Sequence, residues 1–302
     1  MLTPLPAADL VFSPEGMSPE PLLLPILSDS NLALLYGPRG IGKSFLALGL
    51  AWAAASGREF LKWRAIKPRR VLYIDGELTG SDPQQRLAAL GPPPQRLHLL
   101  AAGVPGSRLP VLRGDSDRER AWEPRMEDRY PELLIVDSLS SVVGDASHAA
   151  ARWAEARRWL LRMRKIGIAV VLVHHGTRRG EPRGPSHRED VFDLVMSLRR
   201  PADYRPREGL RVELHFEKAR GLCGPDLDPF EARMSTDRLS GRAHWDCRPT
   251  GSAELYRAAA LLRQGMSAGE AVRTLGVSRA KFYRLRERAM RDGLVEAAPA
   301  DE

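Results

Sequence analysis

The stretch Gly37-Pro-Arg-Gly-Ile-Gly42-Lys43-Ser44 has the spacing G-x-x-x-x-G-K-[ST], and its flanks restrict what it can become. The apolar run "NLALLYG" ends on the first of these glycines. "GKSFLALGLAWAAAS" then places Phe45, Leu46, Gly49, Leu50 and Ala53 on a helical period. A strand passing through a glycine-rich turn into a helix aims backbone N–H groups at phosphate oxygens, and the helix N-terminus adds partial positive charge. Gly37, Pro38, Arg39, Gly40, Ile41, Gly42, Lys43 and Ser44 are therefore expected to cradle ATP. Lys43 would reach the β- and γ-phosphates, and Ser44 would ligate Mg²⁺.

Strand and helix signals alternate after this turn. "VLYID" reads as a buried strand, "SDPQQRLAAL" as a short helix stopped by Gly91, and "RLHLLAA" as another strand. Residues 104–131, rich in Gly, Pro and charge, suggest a loop with one polar helix. "ELLIVD" and "IAVVLVHH" are buried strands, separated by a helix with Trp153, Ala156, Leu160 and Met163 on one face. Such alternation specifies an α/β fold with a mainly parallel sheet between helices. "DVFDLVMSLRR" and "LRVELHFEKAR" lack a helix between them and predict a closing hairpin. "HWDCRPTGS" reads as a linker, giving a first domain over 1–246 and a second over 252–296.

Carboxylates at strand ends supply the remaining chemistry. Asp137 closes "LLIVD", where it can hold the magnesium's water shell, although a strand-end Asp can also cap a helix. Asp75 and Glu77 follow "VLYI" at the same edge. Glu77, just past the strand, is the expected water-activating base, the alternative being a solvated loop acid. His174 and His175 end a later strand, and alternation turns only one of them toward the site. His175 is the expected contact to the γ-phosphate.

Taken together, "LLYGPRGIGKSFLALGLA", "VLYIDGEL", "QRLAAL", "LLIVDSLSS" and "VVLVHHGTRRGEPRGPS" resemble the RecA-like hexameric ATPases, and among them the RepA-type replicative helicases of plasmids. The resemblance covers about residues 25–235. It implies a RecA-like core, with Lys43 and Ser44 on phosphate and metal, Asp137 as the Walker B acid, Glu77 as base and His175 as sensor. It also implies that Lys218 and Arg220 of "FEKARG" reach a neighbouring subunit's nucleotide. Arg199 and Arg200 are rivals for that role, and an edge strand protected by charge is the other reading of the pair. The basic loop from Gly176 to Asp190, with Arg178, Arg179, Arg183 and Arg188, would line a channel for single-stranded DNA.

The C-terminal stretch reads separately as two helices around a tight turn. Ser267 and Glu270 form a capping box, Gly276 breaks the first helix and Ser278 caps the second. Ala271, Leu275, Val277, Phe282 and Leu285 would be its core, with "AELYRAAALLRQG" as a third helix. Arg279, Lys281, Arg284 and Arg288 would meet duplex DNA as in a helix-turn-helix. The net charge of +8 agrees with an anionic partner, although only six of the 46 basic residues are lysine, a skew that base composition can also produce. The two cysteines have no metal-ligand spacing, and no apolar run is long enough to span a membrane, so a cytoplasmic chain is expected. The expectation is an ATP-driven helicase or translocase acting as a ring, a hexamer by resemblance, in replication of a plasmid or mobile element. The alternative is a DNA-binding ATPase switch, and a small-molecule kinase is weaker because it leaves the basic C-terminal domain unexplained.

Overall fold

The computed structural model describes residues 19–76, 82–102, 109, 124, 126, 129–138, 149–175, 190–201, 204–291 and 294–295. At its centre lies β3 (Leu32–Gly37), whose six residues are all buried. Ala33 and Leu35 point to one side of the sheet, while Leu32, Leu34 and Tyr36 point to the other. A strand with both faces covered reads as a continuous apolar run, as "LALLY" does.

Nine strands form the sheet in the order β7 (Leu97–Ala101), β6 (Val71–Asp75), β8 (Leu133–Asp137), β9 (Ala169–His175), β3, β10 (Leu194–Arg199), β11 (Leu210–Ala219), β12 (Phe230–Thr236) and β13 (Ala243–Pro249). The pairings from β7 to β10 are parallel, and those from β10 to β13 antiparallel. The expected mainly parallel α/β sheet is therefore present, closed by the β10–β11 hairpin. β13 corrects the linker expected at "HWDCRPTGS": seven of its residues pair with β12 in unbroken register. The alternation of Trp245 with its polar neighbours is weak, so the strand is recognisable only by its partner.

Helix α1 (Lys43–Ser56) starts at the glycine-rich turn, with Gly42 at φ 114° in the left-handed region that favours glycine. It is apolar nearly all round, and such a helix must be covered on every side. One side packs on the sheet. Its outer side is covered by Leu22, Leu23, Ile26 and Leu27 from β1 (Pro21–Leu23), β2 (Leu27–Ser28) and the turn between them, and by the hairpin β4 (Glu59–Phe60) and β5 (Trp63–Arg64). The Phe60 ring lies over Gly49, where a Cβ would come within 2.2 Å of it. Helices α2 (Asp82–Leu90) and α3 (Ala149–Lys165) follow, α3 packing Ala156, Leu160 and Met163 on the other sheet face.

Helices α4 (Gly251–Arg263), α5 (Ala268–Leu275) and α6 (Arg279–Arg291) build their own core around Leu255, Ala258, Ala271, Phe282, Leu285 and Ala289. The Ser267–Glu270 capping box forms as expected. Only the buried Thr250 separates β13 from α4. Its hydroxyl donates to the Pro229 carbonyl at 3.4 Å, and Arg257 of α4 pairs with Asp228 before β12.

Beneath β1, the guanidinium of Arg69, 1% exposed, pairs with Glu132 at 3.0 Å and Glu20 at 2.9 Å. Burial would raise the Glu132 carboxyl, but the Arg70 N–H and the Arg69 guanidinium together hold it below its ordinary 4.5. A depressed carboxyl contributes stability that is complete above the unfolded value and is lost as pH falls through the folded one. Glu132→Gln should therefore lower stability near pH 7 and flatten its fall below about pH 4.5, as read by urea unfolding across pH. Gly49→Ala should destabilise by about 1–3 kcal/mol through overpacking against Phe60, read as a lower urea midpoint.

Candidate nucleotide site

The parallel strands deliver their carboxyl ends to one edge of the sheet, where open α/β sheets bind ligands. The glycine-rich turn after β3 lies there. Lys43, 5% exposed, is folded back so that its ammonium donates to the carbonyls of Gly37 at 3.0 Å and Pro38 at 2.9 Å. Asp75 and Asp137 stand opposite each other on β6 and β8, 1% and 2% exposed. The Tyr73 hydroxyl donates to Asp137 Oδ2 at 2.7 Å. Burial, reinforced by the Asp137 charge, raises the phenol well above its usual range, so it stays a donor.

A cavity of 480 Å³ opens over the turn, lined by Gly42, Lys43 and Ser44 on one wall and by His175, Arg86 and Arg200 among the others. His175 thus borders the same space as the phosphate-cradle residues. A small adjoining cavity is lined by Ser44, Tyr73, Asp75 and Arg86. The ammonium of Lys43, the Ser44 hydroxyl and the hard carboxylate oxygens of Asp75 and Asp137 are the donor set that a triphosphate with Mg²⁺ requires. The sequence favours Glu77 over Asp75 as the base, and Asp75 lines the cavity beside Ser44. Glu77 itself lies outside the described residues, as do Arg178, Arg179, Arg183 and Arg188.

Arg86, which the sequence does not single out, and Arg200, expected only as a rival for a neighbour's site, also line the cavity. Arg86 of α2 stacks on the Phe45 ring, 4.6 Å from its centroid. Arg200, after β10, donates to the Gly40 carbonyl at 3.2 Å and the Arg211 carbonyl at 2.8 Å, and lies 4.0 Å over the Tyr204 ring. Arg200 is therefore hydrogen-bonded to the glycine-rich turn of its own chain. Arg199 is ion-paired with Glu217 at 2.6 Å. The sequence signal for Arg200 is its place directly after the strand that pairs with β3, a contact visible only once strand order is known.

Lys218 and Arg220 are at the opposite edge of the sheet. β11 runs antiparallel, so Leu210 lies at Gly42 while Lys218 is opposite Val195, near the start of β10. Eight residues of strand separate Leu210 from Lys218, roughly 27 Å at ~3.4 Å each. Lys218 donates to the Asp190 carbonyl at 3.3 Å, and Arg220, 60% exposed, lies 3.3 Å from Asp193. Neither reaches its own subunit's nucleotide cavity. On α6, Arg279 and Arg284 are exposed, whereas Lys281 pairs with Glu254 of α4 at 2.7 Å.

The phosphate cradle, strand-end acids and sheet order define a RecA-like P-loop ATPase fold. The chain belongs to the AAA domain family, whose profile matches residues 2–181. It is similar to the DNA repair protein RadA of Halalkalibacterium halodurans, 30% identical over 171 residues, 55% of this chain and 32% of that one. It is also similar to RadA of Pseudomonas aeruginosa, 29% identical over 188 residues, 60% of this chain and 36% of that one. The chain thus spans about a third of the length of these relatives. Among solved structures, a KaiC-like protein from Pyrococcus horikoshii shares the fold, with a TM-score of 0.52 at 13% identity over 76% of this chain and 94% of its own. Among the described residues no helix is long and apolar enough to cross a membrane.

Arg200→Ala should loosen the turn at Gly40 and weaken ADP binding about tenfold, measured by titration calorimetry, with unfolding midpoint little changed; charge-assisted hydrogen bonds contribute on that scale.

Proposed function

We propose that the chain is an ATP-hydrolysing DNA motor of the helicase or translocase type, working as a ring in which each nucleotide site is completed by the next subunit. The observation that carries this reading is the exposed Arg220, which follows directly on β11 at the end opposite Leu210 and its own nucleotide cavity, more than about 27 Å of strand away. A cation so placed acts on a triphosphate only in another copy. Mg²⁺ held by Ser44 and Asp137, with Asp75 beside them, would offset charge on the transferring phosphoryl group. Lys43 would grip the phosphates, Glu77 would orient the attacking water, and His175 would register loss of the γ-phosphate. Arg220, with Lys218, would stabilise the transition-state charge from the neighbour.

DNA enters the proposal in two places. Arg178, Arg179, Arg183 and Arg188 would contact single-stranded DNA, and α6 would dock on duplex and recruit the motor to a replicon or mobile element. The RadA relatives are DNA repair proteins, which supports a DNA substrate without specifying unwinding. A switch that assembles on DNA without unwinding is the second reading. It is favoured by the helical domain joined to β13 through Thr250 alone, which suits a motor held at one place.

Lys43→Ala should reduce hydrolysis at least about a hundredfold. Arg220→Ala should reduce it by about a thousandfold or more, the range for an arginine supplied in trans. Mixing Lys43→Ala with Arg220→Ala subunits should restore part of the turnover, because each mixed ring contains intact sites. Absence of rescue in rings shown to be mixed would refute the shared site. A forked-duplex displacement assay separates the two readings: DNA-stimulated hydrolysis without displacement leaves the switch.

A further inference from the structure

The exposed stripe of α6 has a feature that simple attraction to phosphate does not explain. Arg279, Ala280, Tyr283, Arg284, Glu287, Arg288 and Arg291 face solvent, while Phe282, Leu285 and Ala289 fill the domain core. Six basic residues and one acid occupy the helix, and the acid lies in the middle of the exposed face. Glu287 forms no ion pair among the described residues, although Arg284 precedes it by three positions and Arg291 follows by four. Those are the spacings at which side chains on a helix meet.

A carboxylate at the centre of a surface meant only to grip phosphate would be repelled by it. A carboxylate facing base edges has a use: it accepts a hydrogen bond from the cytosine N4 amino group, as arginine donates to guanine O6 and N7. Ala280, Tyr283, Arg284 and Glu287 lie at i, i+3, i+4 and i+7, the spacing of the base-contacting residues in a homeodomain's recognition helix. Ala280 leaves room for close approach. Tyr283, an exposed aromatic, is braced edge-on against Phe282 with ring centroids 5.9 Å apart. Lys281, engaged with Glu254, lies off this stripe.

We infer that α6 reads sequence in the major groove, with Arg284 recognising guanine and Glu287 recognising cytosine at neighbouring base pairs. Arg279, Arg288 and Arg291 flank them and hold the backbone phosphates. The inference rests on the reading of the C-terminal domain as a duplex-DNA module and is independent of the hydrolysis chemistry. It makes the domain a selector of one DNA site rather than a general tether.

Selection by the full chain from a pool of duplexes with a randomised 16-base-pair centre tests this. The wild type should enrich a motif with a guanine and a cytosine at adjacent positions, at about tenfold or more over the unselected pool. Glu287→Ala should lose the cytosine preference, keep the guanine, and bind the unselected pool more tightly because a repulsive charge is gone. Glu287→Gln should convert the preference at that position from cytosine to adenine, since a carboxamide suits adenine N6 and N7. That gain of altered specificity cannot come from misfolding. Retention of duplex with no enriched sequence, or an unchanged motif in both Glu287 variants, overturns the readout while leaving duplex binding intact. Retention of no duplex at all by the wild type overturns both, and leaves the ATPase reading to its own test at Lys43.

Discussion

The reversal of chain direction between β10 and β11 decides where the charged groups of the second half can act. Within the nine-stranded sheet the strands up to β10 run parallel, so Gly37, Asp75, Asp137 and His175 arrive at one edge. From β11 onward each strand carries residues to the far edge or back. Leu210 begins beside the phosphate cradle and Arg220 ends a strand's length away. A longer, helical crossover would have kept the pattern parallel and brought the later cations to the carboxyl edge. The hairpin instead divides the sheet into an edge that carries the glycine-rich turn and an edge that carries Lys218 and Arg220.

The second organising contact is the junction at Thr250. Arg257 pairs with Asp228, whose carbonyl also accepts from Lys62 at 3.2 Å. The Lys62 ammonium in turn lies 4.8 Å from the Phe230 ring centroid, and its burial lowers its pKa. Lys62 belongs to the hairpin covering α1, the helix that begins at the glycine-rich turn. A packed and ion-paired route therefore runs from the phosphate cradle to the helical domain.

Much of this arrangement was legible in the residues. "LALLYG", "VLYID", "LLIVD" and "AVVLVHH" announced themselves because strands buried on both faces are continuous apolar runs. The capping box at Ser267 and the left-handed Gly276 marked a helix whose ends are fixed by local chemistry. Other features depend on contacts distant in sequence. β13 alternates poorly because it is an edge strand with five of its seven residues exposed, so it resembled a linker. Arg86 and Arg200 entered the site through strand order and helix placement, which no local spacing encodes. Asp75 was visible as a strand-end acid, but its place beside Ser44 follows from the pairing of β6 with β8.

Thr250 has a mechanical meaning. A flexible tether lets a DNA-binding module search a volume while its motor turns beneath it, and its reach grows with the square root of its length. One buried residue, hydrogen-bonded to Pro229, gives no such slack. Any duplex gripped by α6 would inherit the orientation of the sheet's edge strand. In a ring of several copies, every subunit would then present α6 at the same angle to the symmetry axis, so one straight duplex could meet only those copies whose helices face it in register.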